Sequence, residues 1–526
     1  MSNIRHTVLG ILFLVQVTTG YAQTSKIKCY FNHPVNHAIS TGFNAVYLNS
    51  TFPDTIAAYI NRAKYSIDVA MYNYTAFSGS NTAKIAVAAN AAATRGVIIR
   101  WIYNGTSATS NSGLSLLSPL IKTFPSANYI DYIMHNKFMV IDVNSPDSTD
   151  VVAQTGAYNW SDQQTTVDYN NLVFIQNKQV ALAFYHEFNK MWGGTGANPN
   201  AASAVFSSFK TPGSQTQFRV DDQLVEVFFS PKDSVRQRLQ TTINTADHDL
   251  FFAVYTFTSA DVANSIKAKY NNGVFVRGII DDFSVPFNAY AILNPLLGNN
   301  MITYDSSGTY HNKILLVDGL SPSSDPVVVT GSYNWTTQAQ ESNDENVVVI
   351  HDAAIANQYY QSLCADFTAL GGLPCLSAPC PNANTIFVSN TRGSSYQWQL
   401  NTGSGFGNIS DNSNYNGVST ENLSFTNAPS SWYGYQYRCL VNGNRYSDTS
   451  TLKFTAYWNG SAGTAWENTA NWNCGNLPDA NTDVIINSGV KFYPVINTST
   501  MCRSVRLNKD AFAAIISGIL LLLTGK

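Results

Sequence analysis

The chain reads "IMHNKFMVIDV" at residues 133–143 and "TYHNKILLVDG" at residues 309–319. Each stretch carries His-Asn-Lys, and each places an Asp five residues after its Lys. In a strand, alternate side chains share a face, so His135 and Lys137 point one way, as do His311 and Lys313. An imidazole beside an ammonium is a poor metal site, because the Lys repels a cation. The same pair suits an anion. Neither copy is complete chemistry alone, and two copies facing each other make one active site.

The duplication extends outward from these stretches. "KYSIDVAMYNYTA" (64–76) matches "DHDLFFAVYTFTS" (247–259), and "RGVIIRWIYNG" (95–105) matches "NGVFVRGIIDD" (272–282). "TGAYNWSDQQTTVDYNNLVFI" (155–175) matches "TGSYNWTTQAQESNDENVVVI" (330–350). Asn159 and Asn334 follow their histidines at nearly equal distances and add neutral donors from the next turn. Each unit alternates short β-branched and aromatic runs with helical stretches. "AKIAVAANAAATRG" reads as a helix ended by Gly96 in a left-handed cap. Strand–helix–strand order predicts α/β units with mixed β-sheets and helices on the faces. Two such units pack about a pseudo-two-fold axis, which brings equivalent residues face to face. Two His, two Lys and two Asn converging on one point would hold a tetrahedral phosphate.

The pattern H-x-K-x-x-x-x-D followed by G-S-x-N resembles the signature of the phospholipase D superfamily. "HNKFMVID" with "GAYN", and "HNKILLVD" with "GSYN", carry it twice, and the likeness covers residues from about 27 to 370. The resemblance implies a two-step displacement at phosphorus through a covalent phosphohistidine, with Lys and Asn neutralising the phosphoryl oxygens. It implies no cofactor and no metal. Asp142 and Asp318 fall on the opposite strand face and read as structural hydrogen-bond acceptors. The copies differ: the second has Ser332 and Glu345, where the first has Ala157 and Asn170. Asp168 is a candidate substitute for the missing carboxylate. A carboxylate makes an imidazole more basic, which argues for His311 as nucleophile, whereas the family commonly uses the first His. Both assignments stand at this point.

At 526 residues, with 44% hydrophobic and 12% charged residues, the chain is globular and too long for one core. The reading divides it into a signal peptide over 1–22, cleaved near Ala22, repeat units over 23–203 and 204–375, an immunoglobulin-like β-sandwich over 376–455, and a β-rich module over 456–526. The sandwich rests on Trp398 and "YQYRC", although no second Cys stands where the partner of Cys439 belongs. The "AAIISGILLLLTGK" ending reads as strands of an unfinished repeat rather than a membrane tail. The all-β modules are expected to be accessories outside the catalytic site. The leader implies a secreted or periplasmic location, where disulfides form. Cys474 with Cys502, and a pair within 364–380, are the expected bridges, and seven Cys leave at least one thiol unpaired.

The net charge of −3 gives no overall basic field. Residues 104–129 hold one Lys and no Arg, and residues 281–300 hold neither. A nucleic-acid groove needs several. An apolar, aromatic rim suits a phospholipid at a membrane surface instead. The expected function is therefore a secreted phospholipase D-type phosphodiesterase, monomeric because both motifs lie on one chain. A metal-independent endonuclease and a catalytically weak binding protein are the alternatives.

Overall fold

The β-branched runs of each repeat form two eight-stranded mixed sheets. The computed structural model describes residues 26–40, 43–106, 110–213, 215–272, 274–319, 324–372, 380–389, 391, 393–447, 449–486, 490–507 and 511–525. The leader expected over 1–22 lies outside them. The first sheet runs Val46–Tyr47, Ile27–Phe31, Asn171–Ile175, Val152–Gly156, Lys137–Ile141, Ser66–Met71, Ile98–Tyr103, Lys122–Pro125. The second runs Gln217–Val220, Gln223–Ser230, Glu345–His351, Val327–Gly331, Lys313–Val317, Asp249–Val254, Phe275–Asp281, Met301–Tyr304. Equivalent segments of the repeat hold equivalent places. Ser66–Met71 pairs in parallel with Ile98–Tyr103 and antiparallel with Lys137–Ile141. Asp249–Val254 repeats both pairings in the second sheet.

Each sheet buries its two faces differently. The outer face of the first carries helices Phe52–Arg62 and Ala83–Thr94, packed through Ile56, Ile60, Ile85 and Ala89. The Ala-rich helix stops before Gly96, whose φ of +94° is the left-handed cap the sequence implies. The inner faces share one core. Phe138, Phe184 and Phe188 of the first unit lie in the same apolar cluster as Phe229, Leu316, Tyr359 and Phe367 of the second. Helices Lys178–Trp192 and Ala353–Ala369 supply much of it, each started by a side-chain cap, Asn177 and Asp352 respectively. The two inner sheet faces and these two helices bury one another, and that burial fixes how the units dock. That docking aligns the two motifs.

The apolar stretch 281–300 is mostly not a loop. Asn288–Leu297 is a helix whose Ala289, Leu293 and Leu297 enter the second unit's outer core. Its leading edge carries exposed apolar side chains, Phe283, Val285 and Phe287.

Beyond residue 380 the described chain is all β. Two small antiparallel sheets enclose Trp398, Tyr415, Phe425, Tyr437 and Cys439. The last part stacks parallel strands: Phe454–Trp458, Thr482–Ile486 and Ser504–Leu507 form one sheet. Ala514–Ile515 and Leu521–Leu523 pair in parallel with Val495–Ile496 and Thr500–Cys502. The apolar ending is thus strand and turn, and among the described residues no helix is long and apolar enough to cross a membrane. One expected disulfide is corrected: Cys474 bonds Cys380, and Cys502 is a free, buried thiol. Cys502 sits in the interior of the last core, while Cys474 lies in a loop beside Cys380 with Cα atoms 5.5 Å apart. Geometry decides pairing, not spacing along the chain. Cys364 is also disulfide-bonded. The expected pairing within 364–380 otherwise falls on Cys375, outside the described residues.

Candidate active site

Both motifs begin at the edge of the unit interface and run into a strand. His135 and His311 immediately precede Lys137–Ile141 and Lys313–Val317, and all four His and Lys side chains are buried. Each strand then ends in an aspartate with left-handed backbone, φ +53° at Asp142 and +52° at Asp318. The Asp142 carboxylate accepts the N–H groups of Lys64, Tyr65 and Ser66 at 2.7–2.9 Å. Asp318 accepts those of Asp247, His248 and Asp249. These residues tie the turn before the neighbouring strand to the motif strand, at the opposite end of that strand from the imidazole. Their role is structural, as the opposite-face placement implies.

The imidazoles are braced across the interface. Asp344 and Met134 form a parallel bridge, with the His135 N–H donating to the Asp344 carbonyl at 2.9 Å. This delivers Glu345 of the second unit to His135 of the first, with Nδ1 to Oε2 at 2.8 Å. The Ser332 hydroxyl donates to that same carboxylate oxygen at 2.7 Å. On the mirror side, the Tyr169 N–H donates to the Thr309 carbonyl, and Asn170 Oδ1 lies 3.1 Å from His311 Nδ1. The expectation that Glu345 orients His311 is therefore corrected. The carboxylate serves the first histidine, because each brace acts on the other unit's motif. Asp168, the candidate substitute for the first copy's missing carboxylate, is not the brace of either imidazole. It accepts the Thr309 N–H at 2.8 Å and shapes the approach to the motif, while Asn170 makes the contact.

The bracing sets the tautomers. Asn170 Nδ2 donates to the carbonyls of Gln164 and Asp168 at 3.0 and 3.2 Å, so its Oδ1 is the acceptor toward His311. A carboxylate can only accept, so His135 also carries its proton on Nδ1. Both Nε2 atoms keep their lone pairs. Burial lowers the basicity of both rings. His135 is brought down to about 4, with the Glu345 charge working against that shift. His311 is held well below the usual range by burial and then by the Lys313 and Lys137 charges, with no carboxylate beside it.

The lysines lie under the imidazoles. Lys137 Nζ donates to the His135 carbonyl at 2.9 Å, and Lys313 Nζ to the His311 carbonyl at 2.6 Å. Burial pushes Lys137 down to about 7 and Lys313 well below the ordinary lysine range. A buried ammonium short of negative charge suits an anion. Asn159 and Asn334 enter from the turns after Gly156 and Gly331. Those glycines have φ of +142° and +146°, and a Cβ there would collide with the backbone oxygens of Asn171 and Asn346. Both amide oxygens, Asn159 Oδ1 and Asn334 Oδ1, are buried without a hydrogen-bond partner. Either amide can turn its NH2 group to an anionic oxygen. His135, His311, Asn159 and Asn334 line one cleft of about 460 Å³, with Tyr72 and Tyr255 also in its wall. Another hollow, of about 320 Å³ around Gln179, Glu187 and Asp233, holds neither motif.

The geometry thus brings together His135, Lys137, Asn159, His311, Lys313, Asn334, Glu345 and Ser332, and places Asp142 and Asp318 behind them. Sequence reasoning missed Asn170 as a brace. It also missed Tyr72 and Tyr255, which stood in matching places of the aligned segments 64–76 and 247–259. Among the described residues, no group of three or more His, Cys, Asp or Glu could hold a metal ion.

A family model described as "Cardiolipin synthase, PLD-like domain" matches residues 56–192 and 239–366. The chain is 34% identical over 131 residues to a mitochondrial cardiolipin hydrolase of Xenopus tropicalis, covering 24% of this chain and 59% of that protein. It is 26% identical over 140 residues to a phospholipase D of Rickettsia conorii, covering 26% of this chain and 66% of that one. The chain therefore spans roughly three fifths of the length of these curated relatives. A solved phosphatidylserine synthase of Haemophilus influenzae aligns with 66% of this chain and 89% of its own, at 13% identity and a TM-score of 0.47.

Proposed function

This chain belongs to the PLD-like domain family, and on that premise we propose that it is an exported, metal-independent phospholipase D-type phosphodiesterase. The observation that carries the reading is the pair of cross-braced imidazoles in one cleft, each with a buried lysine bonded to its backbone carbonyl. In this mechanism His135 Nε2 attacks phosphorus. His311, recharged when the anionic phosphodiester settles beside it, gives a proton from Nε2 to the leaving alcohol oxygen as the P–O bond breaks. His311 then takes a proton from water, the water oxygen attacks phosphorus, and the P–N bond breaks to release the phosphomonoester. Glu345 favours His135 as nucleophile because it stabilises the positive imidazole formed on attack. Lys137, Lys313, Asn159 and Asn334 neutralise the non-bridging oxygens.

Two features support a phospholipid over a nucleic acid. Apart from Lys137 and Lys313 behind the imidazoles, no Lys or Arg stands among the described residues of the cleft, and Asp168 lines it. A strand of phosphates would meet no basic track there. Phe283 reaches the cleft itself and is exposed, and Val285, Phe287 and Ile130 are exposed on the segments that lead into the two motifs. Apolar groups so placed suit a membrane interface. Disulfides at Cys380–Cys474 and Cys364 agree with export. The test sets purified protein against phospholipid vesicles and single-stranded DNA side by side, with EDTA present. Release of a head-group alcohol, with the DNA intact, is expected. Cleavage of DNA alone would transfer the site to the nuclease reading, and loss of activity on chelation would overturn the metal-free route.

A further inference from the structure

In each half, a tyrosine outside the H-x-K-x-x-x-x-D signature touches both members of the His–Lys pair. The Tyr72 ring meets His135 edge to face at 4.7 Å between centroids, and Lys137 Nζ stands 4.8 Å from the same ring's centroid. Tyr255 lies 5.2 Å from His311, with Lys313 Nζ 5.1 Å from its centroid. The two tyrosines directly follow the equivalent strands Ser66–Met71 and Asp249–Val254, so one local device is built twice. Among the described residues, neither Lys137 nor Lys313 has a carboxylate within ion-pair distance. A carboxylate there would hold the ammonium charged but cancel its field. An aromatic face stabilises the charge without cancelling it.

We propose that Tyr72 and Tyr255 are positioning residues whose ring faces keep Lys137 and Lys313 charged in the buried site, so that their full charge meets the substrate phosphate. This rests on the phosphodiesterase reading above. The device is needed because burial works against both ammonium groups. Around Lys137 the opposing charge is Glu345. Around Lys313, Lys137 adds to the depression, and Glu345, Asp281 and Asp168 oppose it. When a ring is replaced by an alkyl group, the charged lysine loses support, so its proton leaves at lower pH.

The test uses the full chain with Tyr72→Phe, Tyr72→Leu, Tyr255→Phe and Tyr255→Leu. Two quantities are read: kcat/KM against pH on bis(p-nitrophenyl) phosphate, and the titration of Lys137 and Lys313 by NMR of 13Cε-labelled lysine. The Phe variants should keep the wild-type basic limb and lysine titration. The Leu variants should move both down by about one pH unit, with inorganic phosphate inhibiting about tenfold more weakly. If Leu disturbs the packing, progressively fluorinated phenylalanine at position 72 weakens the ring's quadrupole at constant shape, and the basic limb should fall stepwise. Equal behaviour of Leu and Phe, or no fluorine dependence, would overturn the proposal. If wild-type protein turned over no phosphodiester, the functional reading would fall, while the NMR titration would still decide the role of the rings.

Discussion

The two imidazoles stand in matching places of matching units, yet their surroundings carry opposite charge patterns. His135 touches a carboxylate, Glu345, and its approach is held by amides, with Asn104 and Asn343 accepting the N–H groups of Met134 and Ile133. His311 touches an amide, Asn170, and its approach is held by carboxylates, with Asp281 and Asp168 accepting the N–H groups of Tyr310 and Thr309. One acid in direct contact raises the basicity of a ring and fixes its tautomer. Two acids, bonded one and two residues before the ring, leave it poorly basic while adding negative potential at Lys313. Asn and acid are exchanged at three pairs of sites, and on the proposed mechanism that exchange divides the duplicated fold into a nucleophile half and an acid half. Burial pushes Asp281 up to about 6, so the field on the His311 side weakens in mild acid.

The strongest way to break this comparison is to remove either ring. His135→Ala and His311→Ala should each lower turnover by about four orders of magnitude, and the double variant should be little worse, because the groups act as a unit. Two independent sites would instead leave each single variant with about half the activity. Next in size is the contrast between braces. Glu345→Gln should cost roughly a hundredfold in kcat and Asn170→Ala less than about tenfold. Equal losses would erase the division of labour.

A pH series sharpens the contrast further. The folded chain holds His135 at about 4, below its ordinary 6.5, so the unfolded chain binds more protons between those values. Stability should fall as pH drops through that window, and His135→Asn should lose less Tm between pH 6.5 and 4. On the rate side, kcat/KM should decline as pH rises past about 7, where Lys137 loses its charge. A flat profile from pH 6 to 9 would contradict it. The smallest effect on chemistry belongs to Asp142→Asn and Asp318→Asn. Each should cost about 1–3 kcal/mol of stability by weakening the acceptor of three backbone N–H groups. KM for a soluble phosphodiester should stay unchanged, and a raised KM would place these residues in the site after all.

The legible parts of this architecture are the local ones. The duplicated strands, the Ala-rich helix with its Gly96 cap, the His–Lys pairs and the structural Asp142 and Asp318 all follow from residues close in sequence. The braces do not. Glu345 reaches a histidine 210 positions away, and only the shared inner core decides which unit's ring it meets. Reading Glu345 within its own repeat therefore assigned it to the wrong imidazole. Cys474 fails for the same reason, since its partner Cys380 is brought near by folding of the β region. Residues 281–300 carry an apolar pattern that a rim and a core helix share, and the helix Asn288–Leu297 resolves it mostly as core.

The division of roles is tested most directly by locating the covalent intermediate. His311→Ala should trap it, because that variant keeps the nucleophile and lacks the group that activates water. Base quenching of this variant with a phosphodiester bearing a good leaving group, followed by peptide mass spectrometry, should find one phosphoryl group on His135. The wild-type chain should show the same adduct transiently, and His135→Ala should show none. A phosphoryl group on His311 in the His135→Ala variant, with none on His135 in its counterpart, would reverse the assignment and with it the reading of Glu345 as the nucleophile's brace.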